Sequence, residues 1–294
     1  MAIMVALLAA SLAYLMLGAQ ESAIDRTELT ARGAEAMASA RAAIDRAATS
    51  MLNASGADLG AADDAGALPP LLDLVGRAGV KVSVYDEQGK LNLNNVVEKD
   101  KPNALDIKKF IGLLGILNLP QELADTLTDW IDPDSGRRLP SGAEDEYYLG
   151  LTPPRLPGNH PLIEPAEAAM VKGFDDEAMA RLLPFVTALP DHVRLSVNSA
   201  SPEALAATIA GLGLEKARAM TEARKANPFA SLADFRGRLP QGAAGLREEE
   251  ITIESEYFLI TAETERGGAW VNEQALVHLD RANKKVYTIW RRST

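Results

Sequence analysis

Cysteine is absent from the 294 residues, which excludes disulfides, thiolate-bound zinc and thiol catalysis. The compartment stays open, because exported proteins also manage without disulfides. Histidine is scarce: His160, His192 and His278 are the only three, and none lies in a zinc-protease or nucleophile motif. The sequence also lacks a Gly-x-Ser-x-Gly elbow and a phosphate-binding glycine loop. No enzyme is expected. Aromatic residues amount to 5%, and the abundance of Ala and Leu leans the chain towards helix. Positive charge is in deficit, with 30 Lys+Arg against 41 Asp+Glu and a formal net charge of -11. Such a chain lacks the basic surface of a general nucleic-acid binder but is compatible with divalent cations.

The sharpest absence is of any charge before Glu21. The apolar run ahead of it is long enough to cross the ~30 Å hydrocarbon core of a bilayer as a helix. A cleaved secretory signal would open with Lys or Arg, and a simple anchor would carry flanking positive charge. A mature pilin-type N-terminus, its basic leader already removed, fits the abrupt apolar start. From Glu21 to Leu52 only Gly33 interrupts a run of helix formers, and Met37, Ile44, Ala48 and Met51 recur near helical spacing. One continuous helix of about 50 residues is expected, ended by a loop through 53–56 and 60–70.

Beyond it, Val80, Val82 and Val84 alternate with Lys81 and Ser83 as in a half-buried strand. A turn at 87–90 leads to a second short strand from Leu91 and Leu93. Leu105, Ile107, Phe110, Leu113 and Leu114 predict a helix, and Pro120 opens another through Leu123, Leu127 and Trp130. An irregular acidic loop, 132–162, follows. Short helices are expected at 165–172, 175–183, 202–210 (capped by Ser201), 214–226 and 231–236. Strands are expected at 251–264, 269–279 and 285–291. The order predicts an α+β fold: a pilin-like long N-terminal helix packed on a small antiparallel sheet, with a large all-α insertion. The expected divisions are 1–20 (membrane), 21–99 (helix and first strands), 100–245 (insertion) and 246–294 (closing strands).

Two segments carry candidate chemistry. Asp129, Asp132, Asp134, Glu144, Asp145 and Glu146 fall within a stretch made irregular by Pro133, Gly136, Pro140 and Gly142. Calcium takes six to eight oxygens from such loops, though the spacing is not that of an EF-hand. From composition alone a solvated acidic loop, with Asp132 and Asp134 as turn formers, is the better reading. Trp130, Tyr147 and Tyr148 read as packing aromatics. The second segment, 209–217 followed by 223–225 and Phe229, Leu232 and Phe235, is similar to a helix-hairpin-helix module. Such modules hold DNA phosphates on glycine-turn amides. A DNA-binding or DNA-uptake role for 198–236, through Lys216, Arg218, Arg224 and Lys225, is therefore the alternative function. Glu203, Glu215 and Glu222 offset those cations, and a helical packing module is the preferred reading.

The pilin-like N-terminus, Asp129-Trp-Ile-Asp-Pro-Asp134, Ser141-Gly-Ala-Glu-Asp-Glu-Tyr-Tyr148 and Ser196-Val-Asn-Ser-Ala-Ser-Pro-Glu-Ala-Leu205 occur in this order. Together they resemble general secretion pathway protein K, the GspK-type minor pseudopilins of type II secretion systems. The resemblance implies a mature, methylated N-terminus at Met1, released by a prepilin peptidase. It implies a single-pass inner-membrane protein with its bulk in the periplasm. The expected place is the tip of a short pseudopilus, beside I- and J-type minor pseudopilins and other pseudopilins, with secreted proteins as further contacts and no nucleic acid. Pilins generally carry Glu at the fifth position to neutralise a neighbour's amine. Val5 departs from that and is similar to K subunits, since a tip subunit has no neighbour above it and an unpaired carboxylate in lipid is costly. Ala9, Ala10, Ser11, Ala13 and Gly18 would permit close helix approach. The resemblance also implies structural calcium, one or two ions, on Asp132, Asp134, Glu144 and Asp145, with Asp129 as a further ligand.

Overall fold

The computed structural model describes residues 2–53, 68, 79–243 and 247–293; within the first helix the side chains of 2, 5, 6, 8, 9, 17–19, 21–25 and 53 lie outside that description. The loop expected at 53–70 therefore falls almost wholly outside the described residues, and so does the side chain of Val5. The chain opens with one unbroken helix, α1, Ala2–Asn53, about 78 Å long at 1.5 Å per residue. Its described side chains as far as Glu35 are exposed, apart from half-buried Gly33. Among the described residues no helix is long and apolar enough to cross a membrane.

The second half of α1 is a different surface. Ala36, Ala40, Ala43, Ile44, Ala47, Ala48 and Met51 are buried at spacings of three and four, which places them along one helical stripe. From Ala40 onward the stripe packs on Phe258, Ile260, Ala262, Ala275, Val277 and Leu279 of a sheet. Met37, expected in that stripe, is only half-buried, and Ala36 takes its place. Alanines dominate the contact because a one-carbon side chain lets the helix backbone approach the sheet closely. Arg41 crosses to Glu273, which is fully buried, at 2.9 Å, and Glu273 also accepts the Ser293 hydroxyl.

The sheet has four antiparallel strands, in spatial order Val80–Asp86, Tyr257–Arg266, Ala269–Asp280 and Lys285–Ser293. Arg266 sits opposite Ala269, so Gly267 and Gly268 alone make the turn, with φ of 56° and 84°. A two-residue hairpin with positive φ at both positions calls for this residue type. A Cβ on Gly267 would also lie 2.6 Å from Arg32 Cδ, so the turn packs closely on α1.

The chain leaves the sheet after Asp86 and re-enters it at Tyr257, one position from Asp86's partner Phe258. Everything from 87 to 256 is thus inserted between two hydrogen-bonded neighbours, against an expectation of 100–245. The insertion holds helices Ala104–Ile116, Leu123–Ile131, Asp145–Leu149, Asp176–Leu182, Pro202–Thr208, Leu214–Ala226 and Leu232–Gly237. It is not all helical. Leu91–Asn92 pairs in parallel with Val186–Thr187, Val97–Glu98 with Lys101–Pro102, and Leu195–Ser196 in parallel with Ile251–Thr252. The strand expected from Leu91 therefore joins the insertion, because Glu87–Gly89 forms a 3-10 turn capped by the Asp86 carboxylate and redirects the chain. The strand expected at 251–264 is split for the same kind of reason: Ile251–Thr252 pairs inside the insertion, and the sheet strand starts at Tyr257. The helix expected at 165–172 is a 3-10 turn, Pro165–Met170.

Two cores fill the insertion, one around Phe110, Leu113, Leu127, Trp130, Tyr148 and Leu182, the other around Val197, Leu205, Ile209, Phe229, Phe235 and Ile251. Its loops are held by buried asparagines. Asn94 donates to the carbonyls of Leu162 (2.9 Å) and Leu189 (3.0 Å) and accepts from the Leu162 amide at 2.8 Å. Asn95 bonds the Val193 carbonyl and amide in the same manner, at 2.7 and 3.1 Å. A carboxamide offers donor and acceptor together, so it can stand in for a missing backbone ladder. Asn94→Ala takes the side-chain partner from the Leu162 amide and carbonyl, and one of two from the Leu189 carbonyl that Asn92 also reaches at 3.3 Å, and is expected to cost about 2–3 kcal/mol. Urea denaturation measures this, and a change of less than about 0.5 kcal/mol, the ordinary surface scatter, would refute the stapling role.

Candidate metal centre

The helix Leu123–Ile131 delivers three carboxylates to one side through an i, i+4, i+7 series: Asp125, Asp129 and Asp132. Asp132 is the C-cap residue, already extended (φ -70°, ψ 150°), and Pro133 after it forbids further helix. The chain then makes an irregular excursion and returns at Glu144, immediately before the short helix Asp145–Leu149. One oxygen from each of Asp132, Asp134 and Glu144 lies within 4.8 Å of the others.

Burial makes this grouping informative. Asp132 is 1% exposed and Glu144 6% exposed. Asp132 Oδ1 and both Glu144 carboxylate oxygens have no hydrogen-bond partner. Buried polar atoms are nearly always satisfied, and buried carboxylates all the more so. Burial, with the charges of Asp134 and Asp129 adding to it, pushes Asp132 up to about 6. Burial also pushes Glu144 up to about 7, assisted by Asp129, Asp132, Asp134 and Asp145. Asp134 is exposed and accepts from the Gly136 amide at 2.6 Å. Two buried carboxylates with donorless oxygens, repelling each other and facing a third at the surface, make a set of hard oxygens that fits a hard divalent cation.

The other two sequence candidates stand outside the group. Asp145 is exposed in the first turn of its helix. Asp129 is fully buried, and its oxygens accept from the Arg138 amide at 3.2 and 3.1 Å and from the Ala143 amide. Burial, the largest influence, raises it to about 6 against those bonds. Two residues of the site were missed in the sequence. A Cβ on Gly142 would fall 2.0 Å from Asp129 Oδ2, and one on Gly136 would fall 2.7 Å from Asp134 Oδ1. The glycines were legible as loop breakers; their contact with the carboxylates was not. Trp130 and Tyr148 are buried and meet edge-on, with centroids 5.1 Å apart, while Tyr147 is exposed at the rim.

The hairpin Pro202–Thr208 to Leu214–Ala226 turns on Gly211 and Gly213, both at positive φ. Its cations are not laid out for phosphate. Arg224 was expected to be available to DNA. It is instead fully buried, donating to the carbonyls of Val197 (2.8 Å) and Ala200 (2.6 Å). Lys216 donates to the Gln241 carbonyl at 3.0 Å, and Arg218 and Lys225 pair with Glu215 and Glu222 at 3.1 and 2.8 Å.

Known proteins share this organisation. Residues 89–191 and 195–254 match two consecutive domains described as "Type II secretion system (T2SS), protein K". Type II secretion system protein K of Pseudomonas aeruginosa is 32% identical over 192 residues, 64% of this chain and 57% of that one. The Klebsiella pneumoniae protein of the same name is 31% identical over 213 residues, covering 67% and 65%. The alignments thus span less than two thirds of these relatives' own length. In structure, the chain superposes on one from the crystal structure of the GspK-GspI-GspJ complex of the enterotoxigenic Escherichia coli Type 2 Secretion System. The TM-score is 0.66 at 19% identity, with 94% of this chain and 99% of the other covered. At that identity the likeness concerns the fold.

Proposed function

This chain belongs to the type II secretion system protein K family, and on that premise we propose that it is a minor pseudopilin at the tip of the secretion pseudopilus. The observation that carries the proposal is the position of the family match. It covers 89–254, almost the whole insertion of 87–256, the part that distinguishes this molecule from a plain helix-on-sheet subunit. In this reading the fold is a pilin fold, with α1 as its spine. Residues 1–20 anchor the chain in the inner membrane, the remainder lies in the periplasm, and the insertion caps the tip. The uncharged run before Glu21 supports the anchor. The exposure of the described side chains in the outer half of α1 supports bundling with I- and J-type neighbours, which would give that half a surface to pack on. Assembly starts from this subunit. The protein acts by assembly, and no group of residues here is assigned catalysis.

Calcium is the proposed structural ion. Asp132, Asp134 and Glu144 would hold it, with carbonyls and water completing the six to eight oxygens it takes. Its contribution is charge: it would neutralise buried carboxylates and cross-link a loop with few apolar residues of its own. The orphaned oxygens of Asp132 and Glu144 support this.

The test is assembly. The full chain, produced together with the I- and J-type pseudopilins of its own organism and extracted in mild detergent, is expected to elute from a sizing column as one ternary species. Elution of this chain alone, with calcium and with chelator alike, would overturn the proposal.

A further inference from the structure

Asp129 is the one sequence candidate that is wholly buried yet stands outside the oxygen cluster. We infer that it is a positioning residue for the metal loop rather than a ligand: its carboxylate clamps the 138–143 segment that brings Glu144 to the site. The inference rests on the reading that Asp132, Asp134 and Glu144 hold the cation.

Three observations carry it. Asp129 spends its oxygens on backbone amides from both ends of one tight turn, Arg138 at 3.2 and 3.1 Å and Ala143. The turn between them is closed by the Gly142 amide donating to the Arg138 carbonyl at 2.8 Å. Position 142 has no room for a side chain, since a Cβ there would lie 2.0 Å from Asp129 Oδ2 and 2.6 Å from the Arg138 carbonyl oxygen. The turn is therefore folded directly onto the carboxylate. One helical turn earlier, Asp125 takes the Arg138 guanidinium at 3.4 Å, so the helix grips both the backbone and the side chain of the same residue. Asp132, further along the same face, keeps Oδ1 free of any donor. The helix thus supplies a clamp from Asp125 and Asp129 and a ligand from Asp132. Glu144 follows Ala143, whose amide is clamped, so its carboxylate is placed by a bond one residue away. This is the ordinary relation between an outer-shell partner and a ligand, whose loss costs about 10- to 100-fold in metal affinity.

The test compares the full chain in detergent with D129N, D129A, G142A and D132N, using calcium as the titrant in calorimetry and protease sensitivity of the 138–143 loop in EGTA. A clamp predicts rescue by the conservative variant. D129N keeps the shape but only one of the two acceptors, so its calcium affinity should fall between those of the parent and D129A. D129A should lose about 10-fold or more, and D132N should lose at least as much. In EGTA, D129A and G142A should open the loop to protease while D132N leaves it closed. If D129N costs as much calcium affinity as D132N, Asp129 is a ligand and the inference is wrong. If the parent chain takes no calcium at all, the metal reading fails by itself. The clamp is then still decided in EGTA, where a D129A loop as resistant as the parent's would overturn it.

Discussion

Stripped of divalent cations, the protein is expected to be more stable at pH 5 than at pH 7.5, and calcium should reverse that order. Asp129 and Asp132 are raised to about 6 and Glu144 to about 7, burial being the main cause in each. Their native-state pKa values therefore lie above those of the unfolded chain, near 4. Between about pH 4 and 7 the native state binds more protons than the unfolded one, so stability falls as pH rises through that window. Above about pH 7 the full penalty of holding these charges together is present. A bound cation inverts the logic. Its ligands must be ionised, so binding releases protons and its apparent affinity weakens as pH falls from 7 towards 4. At pH 7.5 and a calcium concentration 100 times Kd, the gain is about 2.7 kcal/mol, or roughly 4 °C in Tm for a chain of this size. Glu144→Gln should raise the Tm of the chelated protein at pH 7.5, because it removes a buried like charge, and should abolish the calcium response. Thermal melts at the two pH values, with EGTA and with calcium, measure all of this. A chelated protein that is more stable at pH 7.5 than at pH 5, or an E144Q variant that is destabilised in EGTA, would show that these carboxylates are not the repelling group described.

The long helix and the strand Val80–Asp86 are legible because their signals are periodic. Val80, Val82 and Val84 alternate, and nothing between Glu21 and Leu52 breaks helix except Gly33. The alanine stripe was less so: Ala36, Ala40, Ala43 and Ala47 are buried, yet alanine favours helix on any face, so Met37 was read in its place. The start of the insertion was misplaced for a physical reason. The residues that end the sheet at Asp86 are polar and buried, and their role is visible only through partners more than a hundred residues away. Asp86 accepts from Ser255, and Gln88 accepts from the amides of Glu256 and Tyr257 at 2.6 and 3.1 Å. The same holds at the acidic loop. That Asp132, Asp134 and Glu144 meet, while Asp145 faces solvent and Asp129 turns to backbone amides, depends on how a non-periodic segment closes. No spacing rule distinguishes five acidic residues in such a stretch.

Arg224→Met is expected to be among the most damaging single changes outside the metal loop, costing about 3–5 kcal/mol from two lost charge-assisted bonds and the carbonyls they leave behind. Arg224 is fully buried, and Nη1 alone bridges the carbonyls of Val197 and Ala200. Both acceptors lie in the Ser196–Leu205 stretch. That stretch is a chain reversal between the parallel pair with Ile251–Thr252 and the helix Pro202–Thr208, so its carbonyls have no ladder to enter. Asn198 beside them is bound to the Phe229 carbonyl and amide at 3.0 and 2.9 Å, and Ser201 caps the helix through the Ala204 amide. The segment is thus a knot of backbone groups satisfied by side chains, with Arg224 at its centre. Thermal denaturation should show Arg224→Met lowering Tm by roughly 5–8 °C. Arg224→Lys should recover only part of the loss, because an ammonium lacks the planar spread of a guanidinium. The same experiment weighs the DNA reading. An arginine placed for phosphate would, when changed to Met, leave Tm in place and reduce duplex binding with a smaller salt slope. A large loss of stability instead means that the family-like stretch at 196–205 is a packing device within the second core of the insertion.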